Sequence, residues 1–125
     1  MKILIADDDP LCTRALERVL RQNHYEVVTA RSGSEAWDVL KRPSSPPMAI
    51  VDWMMPGMTG VDLCARVRLE ADTIYRYLIL VTGRAEPGAA VQALNAGADD
   101  LIGKPWVPEE VLARVQAGQR VVSRS

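Results

Sequence analysis

A chain of 125 residues, 48% hydrophobic and 25% charged, has the size and composition of one globular domain that buries a core without metal or disulfide staples, which excludes disordered and collagen-like classes. Its formal net charge of -1 supplies no excess positive field for a polyanion, so direct nucleic-acid binding by this segment is not expected. Cys12 and Cys64 have no CxxC or Cys/His spacing and read as two reduced core thiols, and no apolar run approaches the roughly 20 residues of a membrane span, so a cytoplasmic protein without membrane contact is expected.

Residues 3–6 form a short apolar run that ends in Asp7-Asp8-Asp9, a strand rather than a signal peptide. Asp9 is placed to cap a first helix with Pro10 at its first position, and Ala15, Leu16, Val19 and Leu20 line one face. A second apolar run at 27–30 precedes Ser32 and Glu35, spaced as a capping box for a second helix. The Pro/Ser-rich stretch 43–47 reads as a stiff surface loop. A third run, 48–51, leads to Asp52. Gly57 and Gly60 then flank a turn that needs unusual backbone angles, and Thr59 caps a third helix carrying Leu63, Cys64 and Val67.

The fourth run, 78–81, ends at Thr82, after which Pro87 opens a fourth helix that stops at Gly97. The fifth, 101–102, leads to Lys104, and Pro108 opens a fifth helix with Val111, Leu112 and Val115 inward and a segment that can extend it through Val122. The expected organisation is one domain over 1–120 and a tail at 121–125 that begins a linker to an output domain if the natural chain continues.

Strands that are apolar throughout and alternate with helices specify an α/β fold with a doubly wound, five-stranded parallel sheet. In such sheets the functional crevice lies beyond the carboxyl ends of the strands, where strand order reverses. Asp7, Asp8, Asp52, Thr82 and Lys104 all fall on that rim. Taken singly, each has an ordinary structural explanation, and Asp9 is best explained as a cap alone. Three carboxylates brought together repel one another, and such a cluster is stable mainly around a cation. Oxygen donors on short side chains suit Mg²⁺, whereas Zn²⁺ would call for His or Cys.

The segments Ile3-Leu4-Ile5-Ala6-Asp7-Asp8-Asp9-Pro10, Val51-Asp52-Trp53-Met54-Met55-Pro56-Gly57-Met58-Thr59-Gly60, Leu80-Val81-Thr82-Gly83 and Gly97-Ala98-Asp99-Asp100-Leu101-Ile102-Gly103-Lys104-Pro105-Trp106 resemble, in order and spacing, the receiver domains of bacterial two-component response regulators, the CheY-like family. The resemblance implies a (βα)5 flavodoxin-like fold with strand order 2-1-3-4-5. It also implies that Asp52 accepts a phosphoryl group from a histidine kinase or histidine phosphotransfer protein. Mg²⁺, for which Mn²⁺ can substitute, would be held by Asp8, Asp52 and the backbone carbonyl of Met54, with Asp7 reached through water. Lys104 would pair with a phosphoryl oxygen, Thr82 would sense the phosphorylated state, and Lys104-Pro105 would be a cis peptide. Such a domain is not an enzyme in the conventional sense: it catalyses its own Mg²⁺-dependent phosphorylation and slow dephosphorylation. The output surface would be the face of the fourth helix, fifth strand and fifth helix, acting on an output domain or a partner protein.

Several positions depart from the family pattern. The aromatic residue usual three positions before the lysine is Leu101 here, expected to pack under the fourth helix. Met54 and Arg84, two residues beyond Asp52 and Thr82, occupy positions that tune phosphoryl lifetime, and Met54 cannot orient water, which implies a long-lived phosphoryl state. Asp100, Glu110 and Arg114 resemble part of a charged set through which one receiver subgroup forms phosphorylation-dependent homodimers, but position 90 is Ala where a basic residue is usual. Trp53 adjoins the acceptor and its emission should report on the site, while Trp37 and Trp106 read as packing residues.

Two other readings compete. Haloacid-dehalogenase-like phosphatases use an aspartate after the first strand, a threonine, a lysine and an acidic pair, but here the lysine follows the acidic pair and Asp52 has no role in that scheme. A degenerate receiver used only for docking usually lacks one or more of Asp7, Asp8, Asp52, Thr82 and Lys104, all present here.

Overall fold

The computed structural model describes residues 1–70, 74–83 and 86–124. Each expected apolar run forms a strand and each periodic segment a helix: β1 (Lys2–Ala6), α1 (Pro10–Gln22), β2 (Glu26–Ala30), α2 (Gly33–Leu40), β3 (Met48–Asp52), α3 (Gly60–Leu69), β4 (Tyr77–Thr82), α4 (Ala89–Ala96), β5 (Asp100–Gly103) and α5 (Pro108–Val122). The five strands are parallel in the order β2-β1-β3-β4-β5.

Because side chains alternate across a strand, the sheet feeds two cores. Leu4, Ala6, Ala49, Val51, Leu78 and Leu80 pack with Leu63, Cys64 and Ala93 on the side of α2, α3 and α4. Ile3, Ile5, Ile50, Ile79 and Ile102 pack with Leu16, Leu20, Val111 and Val115 of α1 and α5 on the other. Both faces are therefore covered, as a parallel sheet requires. The two edge strands depart from the uniformly apolar pattern: Glu26 and Thr29 are exposed on β2, and β5 carries the half-buried Asp100 and an exposed Gly103.

Helix starts follow local chemistry. Asp9 accepts the Leu11 N–H at 2.9 Å ahead of Pro10, and Ser32 accepts the Glu35 N–H at 3.1 Å. At α3 the box is reciprocal, with Thr59 and Asp62 each accepting the other's backbone N–H. α4 differs from expectation: Pro87 lies in the preceding turn, Gly88 caps the helix without a side-chain bond, and the helix begins at Ala89. Its end is as expected, with Gly97 at φ 114°. Ala15 is exposed rather than inward. Cys64 is buried, which pushes its thiol up to about 12, whereas Cys12 is not a core thiol: it is half-buried and directs its Sγ to Asp9.

At the end of the sheet away from the carboxyl rim, Arg68 of α3 ties several elements together. Its guanidinium donates to the Gly97 carbonyl at 2.9 Å, the Arg76 carbonyl at 2.8 Å and Asp99 Oδ2 at 2.8 Å. Asp99 also accepts the Leu78 N–H at 2.8 Å and the Tyr75 hydroxyl. This clasp anchors the amino ends of β4 and β5, leaving their carboxyl ends to present polar groups.

Candidate functional site

Parallel strands all deliver their carboxyl ends to one edge, and chain order reverses at β1, which has β2 on one side and β3 on the other. Asp7 and Asp8 follow β1 and Asp52 ends β3 across that point, while Thr82 ends β4 and Lys104 follows β5. The expected residues thus come together. One carboxylate oxygen from each of Asp7, Asp8 and Asp52 lies within 4.8 Å of the other two. Asp7, Asp52 and Thr82 are buried and Asp8 is exposed, so the cluster opens to solvent on the Asp8 side.

Backbone contacts hold these groups in place. The Asp7 N–H donates to the Ala30 carbonyl at 3.0 Å, and Asp7 Oδ1 accepts the Asp9 N–H at 2.9 Å. The Trp53 N–H donates to Val81 and the Gly60 N–H to Trp53, each at 2.9 Å, so the chain after Asp52 is pinned to β4 and turns directly into α3. Gly60 serves here through close approach rather than unusual backbone angles: a Cβ would lie 2.5 Å from the Asp52 carbonyl oxygen and 2.7 Å from Leu80 Cδ2. Gly57 does adopt the left-handed region, at φ 77°. The Lys104 N–H donates to the Thr82 carbonyl at 2.7 Å, and Lys104-Pro105 is cis.

Lys104 Nζ stands 2.8 Å from Asp52 Oδ1. Burial pulls the Lys104 ammonium down, but the hydrogen bond and charge of Asp52, helped by Asp7, outweigh it and hold the group above its ordinary value. Burial raises the Asp7 carboxyl, and repulsion from Asp52 and Asp8 adds to this, against the opposing Asp9 N–H and Lys104. A single lysine beside three clustered carboxylates leaves an excess of negative charge that a divalent cation would offset. The donor set is oxygen only, half open and partly water-accessible, which fits Mg²⁺ or Mn²⁺ better than Zn²⁺.

Other expected site residues are spread more widely. Met54 is 62% exposed while its neighbour Trp53 is 3% exposed, so the side chain two past Asp52 projects to solvent and the indole is core. Arg84 lies outside the described residues. Leu101 packs against the cluster containing Ala89 and Ala93, under α4 as expected. Asp100, Glu110 and Arg114 come together within one chain: Arg114 Nη1 is 2.9 Å and 3.0 Å from the two Asp100 oxygens, and Nη2 is 3.3 Å from Glu110 Oε2. Trp106 is partly buried against the α1/α5 core, and Trp37 lies under the Arg66 guanidinium at 4.9 Å. Nothing in the sequence singles out Arg14 or Arg31, yet both line a trough that opens beside Asp7 and Asp8.

The sequence model of the response regulator receiver domain matches residues 3–116. The response regulator RppA of Synechocystis is 38% identical over 96% of this chain and 51% of its own length. The phosphate regulon transcriptional regulatory protein PhoB of Rhizobium meliloti is 35% identical over 93% of this chain and 51% of its own length. The chain therefore spans about half the length of the curated relatives it matches. Among solved structures, a CheY-like response regulator receiver domain protein from Methanospirillum hungatei superposes with a TM-score of 0.86 at 29% identity, over 98% of this chain and 96% of that one. The receiver domain of a Francisella response regulator gives 0.87 at 26% identity, over 96% and 98%.

Proposed function

The chain belongs to the response regulator receiver domain family, and we propose that it signals by accepting a phosphoryl group on Asp52. The contact of Asp52 with Lys104 at 2.8 Å inside the three-carboxylate cluster carries this reading. A carboxylate, a fixed positive charge and an oxygen-donor set lie together there, which supports Asp52 as the nucleophile.

Bound Mg²⁺ or Mn²⁺, held by Asp8, Asp52 and the Met54 carbonyl with Asp7 through water, would neutralise charge on the acceptor and on the incoming phosphoryl oxygens. An Asp52 oxygen forms the new P–O bond as the bond to the donor histidine breaks. Lys104, already at the acceptor, pairs with a phosphoryl oxygen, and the Thr82 hydroxyl donates to the same group. Met54, unable to orient an attacking water, favours a long-lived phosphoryl state, and Arg84 is the second tuning position.

The donor is a histidine kinase or histidine phosphotransfer protein, and the output face is formed by α4, β5 and α5. Either an attached output domain or a partner protein reads that face. A phosphorylation-dependent homodimer using Asp100, Glu110 and Arg114 would have to exchange the ion pairs these residues make within one chain for pairs between copies. Cytoplasmic location accords with this chemistry, and among the described residues no helix is long and apolar enough to cross a membrane.

Labelling by a small phosphodonor with Mg²⁺, read as a mass increase of one phosphoryl group, tests the proposal. The wild type should label and Asp52→Ala should not. An unlabelled wild type, or equal labelling of Asp52→Ala, would overturn it.

A further inference from the structure

We propose that Gly33, the first residue of α2, is a positioning residue that fits the cation site to Mg²⁺, because it lets the loop between β3 and α3 close against the start of α2. This rests on the reading in which the Met54 carbonyl joins Asp8 and Asp52 around the metal, and it identifies the contact that sets where that carbonyl stands.

The oxygen donors come from two separate stretches of chain: Asp7 and Asp8 follow β1, whereas Asp52 ends β3 and Met54 lies in the loop at 53–59. One short segment touches both. Ala30, the last residue of β2, accepts the Asp7 N–H at 3.0 Å, and just beyond it Gly33 meets Met58 of the loop. Gly33 is buried, and a Cβ there would lie 2.6 Å from Met58 Cβ, 3.0 Å from Met58 Cγ and closer still to the Met58 carbonyl oxygen. Its backbone is not left-handed, unlike that of Gly57 and Gly97. Glycine is a poor helix former, so close approach rather than backbone freedom is what calls for it at this position.

Of the two sides of this contact, the loop is the one that yields. α2 is fixed by its cap, with Ser32 accepting the Glu35 N–H at 3.1 Å, and by Ala36 and Leu40, which are buried beside Leu4 and Val51. The loop is fastened at its ends, where the Trp53 N–H bonds to Val81 and the Gly60 N–H to Trp53. Between them Met54 is exposed and Gly57, at φ 77°, provides a pivot. Pressure at Met58 is therefore relieved along the segment that carries the Met54 carbonyl. Mg²⁺ demands near-ideal octahedral geometry at about 2.0–2.1 Å, whereas Ca²⁺ accepts more oxygens at about 2.3–2.6 Å in a flexible arrangement. A displaced carbonyl thus costs Mg²⁺ more than Ca²⁺, whichever way it moves.

The test is calorimetric titration of the metal-free protein with Mg²⁺ and, separately, with Ca²⁺. In Gly33→Ala the Mg²⁺ affinity should fall about tenfold, as for loss of a group that orients a metal ligand, while the Ca²⁺ affinity falls by less than about threefold. Met58→Gly, which takes Met58 Cβ and Cγ out of the contact without adding a clash, should lower the ratio of Mg²⁺ to Ca²⁺ affinity in the same direction. Gly88→Ala, where an added Cβ meets nothing within 4 Å, should leave both affinities unchanged. An unchanged ratio in Gly33→Ala, or in Met58→Gly should Gly33→Ala fail to fold, would overturn the role of Gly33, as would an equal loss for both cations. A wild type that binds no Mg²⁺ would overturn the cation reading of the acidic cluster, and this inference with it.

Discussion

Lys104 reaches across the end of β4 to place its ammonium 2.8 Å from Asp52 Oδ1, although the two residues follow strands that are not neighbours in the sheet. Its own backbone N–H is bonded to the carbonyl of Thr82, on the strand between them. The pair therefore spans the carboxyl edge of the sheet, and the position of β5 relative to β3 decides whether charge on Asp52 is compensated.

Removing that compensation should be costly without metal and cheap with it. Lys104→Ala should lower stability by on the order of 1–2 kcal/mol in chelator, as for loss of a hydrogen bond to a charged group. Mg²⁺ should then raise the melting temperature of the variant by more than that of the wild type, because the cation takes over the lost charge. Asp8→Asn should show little Mg²⁺-dependent rise. Thermal melts with and without Mg²⁺ check both.

Metal binding should weaken on acidification at a higher pH than an ordinary carboxylate would dictate. Burial and the neighbouring carboxylates raise Asp7, so in the metal-free fold it takes up a proton above the usual range. Because its folded value is raised, protonation favours the metal-free fold as pH falls through that value, and it competes with the cation. A Mg²⁺ titration followed by Trp53 emission at a series of pH values should show affinity falling through that range. Asp7→Asn should flatten the profile.

Gly60→Ala should damage both fold and site. The added methyl would lie 2.5 Å from the Asp52 carbonyl oxygen and 3.0 Å from Trp53 Cα, so backbone must shift. A loss of about 1–3 kcal/mol in denaturant melts is expected from overpacking, together with weaker Mg²⁺ binding. Gly83→Ala, where an added Cβ meets nothing within 4 Å, is the control.

The clasp at the opposite end should be separable from the chemistry. Asp99→Ala leaves the Leu78 N–H and the Tyr75 hydroxyl without their acceptor and removes one of the bonds of the Arg68 guanidinium, a loss of about 1–3 kcal/mol. Burial and the bond to Asp99 push the Tyr75 hydroxyl up to about 12. A raised folded value stabilises the fold below the unfolded value, and that contribution is lost as pH rises toward 12. Burial raises the Tyr77 hydroxyl as well, so ultraviolet titration should show two tyrosines ionising late in the wild type, and the Tyr75 step moving earlier in Asp99→Ala.

Met54 projects into solvent directly after the buried Trp53, so its replacement should alter chemistry more than stability. Met54→Asn should leave the melting temperature within about a degree, as for exposed substitutions, and shorten the phosphoryl lifetime by offering a group that can orient water. Dephosphorylation rates measured after removal of donor check this.

Most of the fold, and the gathering of polar groups at the carboxyl edge of the sheet, is legible in the sequence. Apolar runs of two to four residues separated by helical segments determine strand and helix order, and a parallel sheet sends every strand's carboxyl end to one edge. Asp7, Asp8, Asp52, Thr82 and Lys104 were found for that reason. The start of α4 is not legible because Pro87 satisfies the rule for a first helical residue, whereas the helix begins at Ala89 behind Gly88, a cap without a side chain to mark it. Ala15 fits the helical stripe by spacing but is exposed, since a small apolar residue beside Leu16 need not lie on the buried face.

The sequence by itself determined which groups reach the rim, since strand ends and caps are local properties of neighbouring residues. Only the tertiary structure decided their relations. Lys104 meets Asp52 because β4 holds their strands at a set separation, Arg114 turns to Asp100 and Glu110 within its own chain, and Arg68 finds Asp99 across α3, β4 and β5. Arg14 and Arg31, one in a helix and one in a loop, line one trough beside Asp8 only because α1 and the end of β2 wall it. Pairings of that kind depend on distances between distant segments, which neither periodicity nor capping chemistry contains.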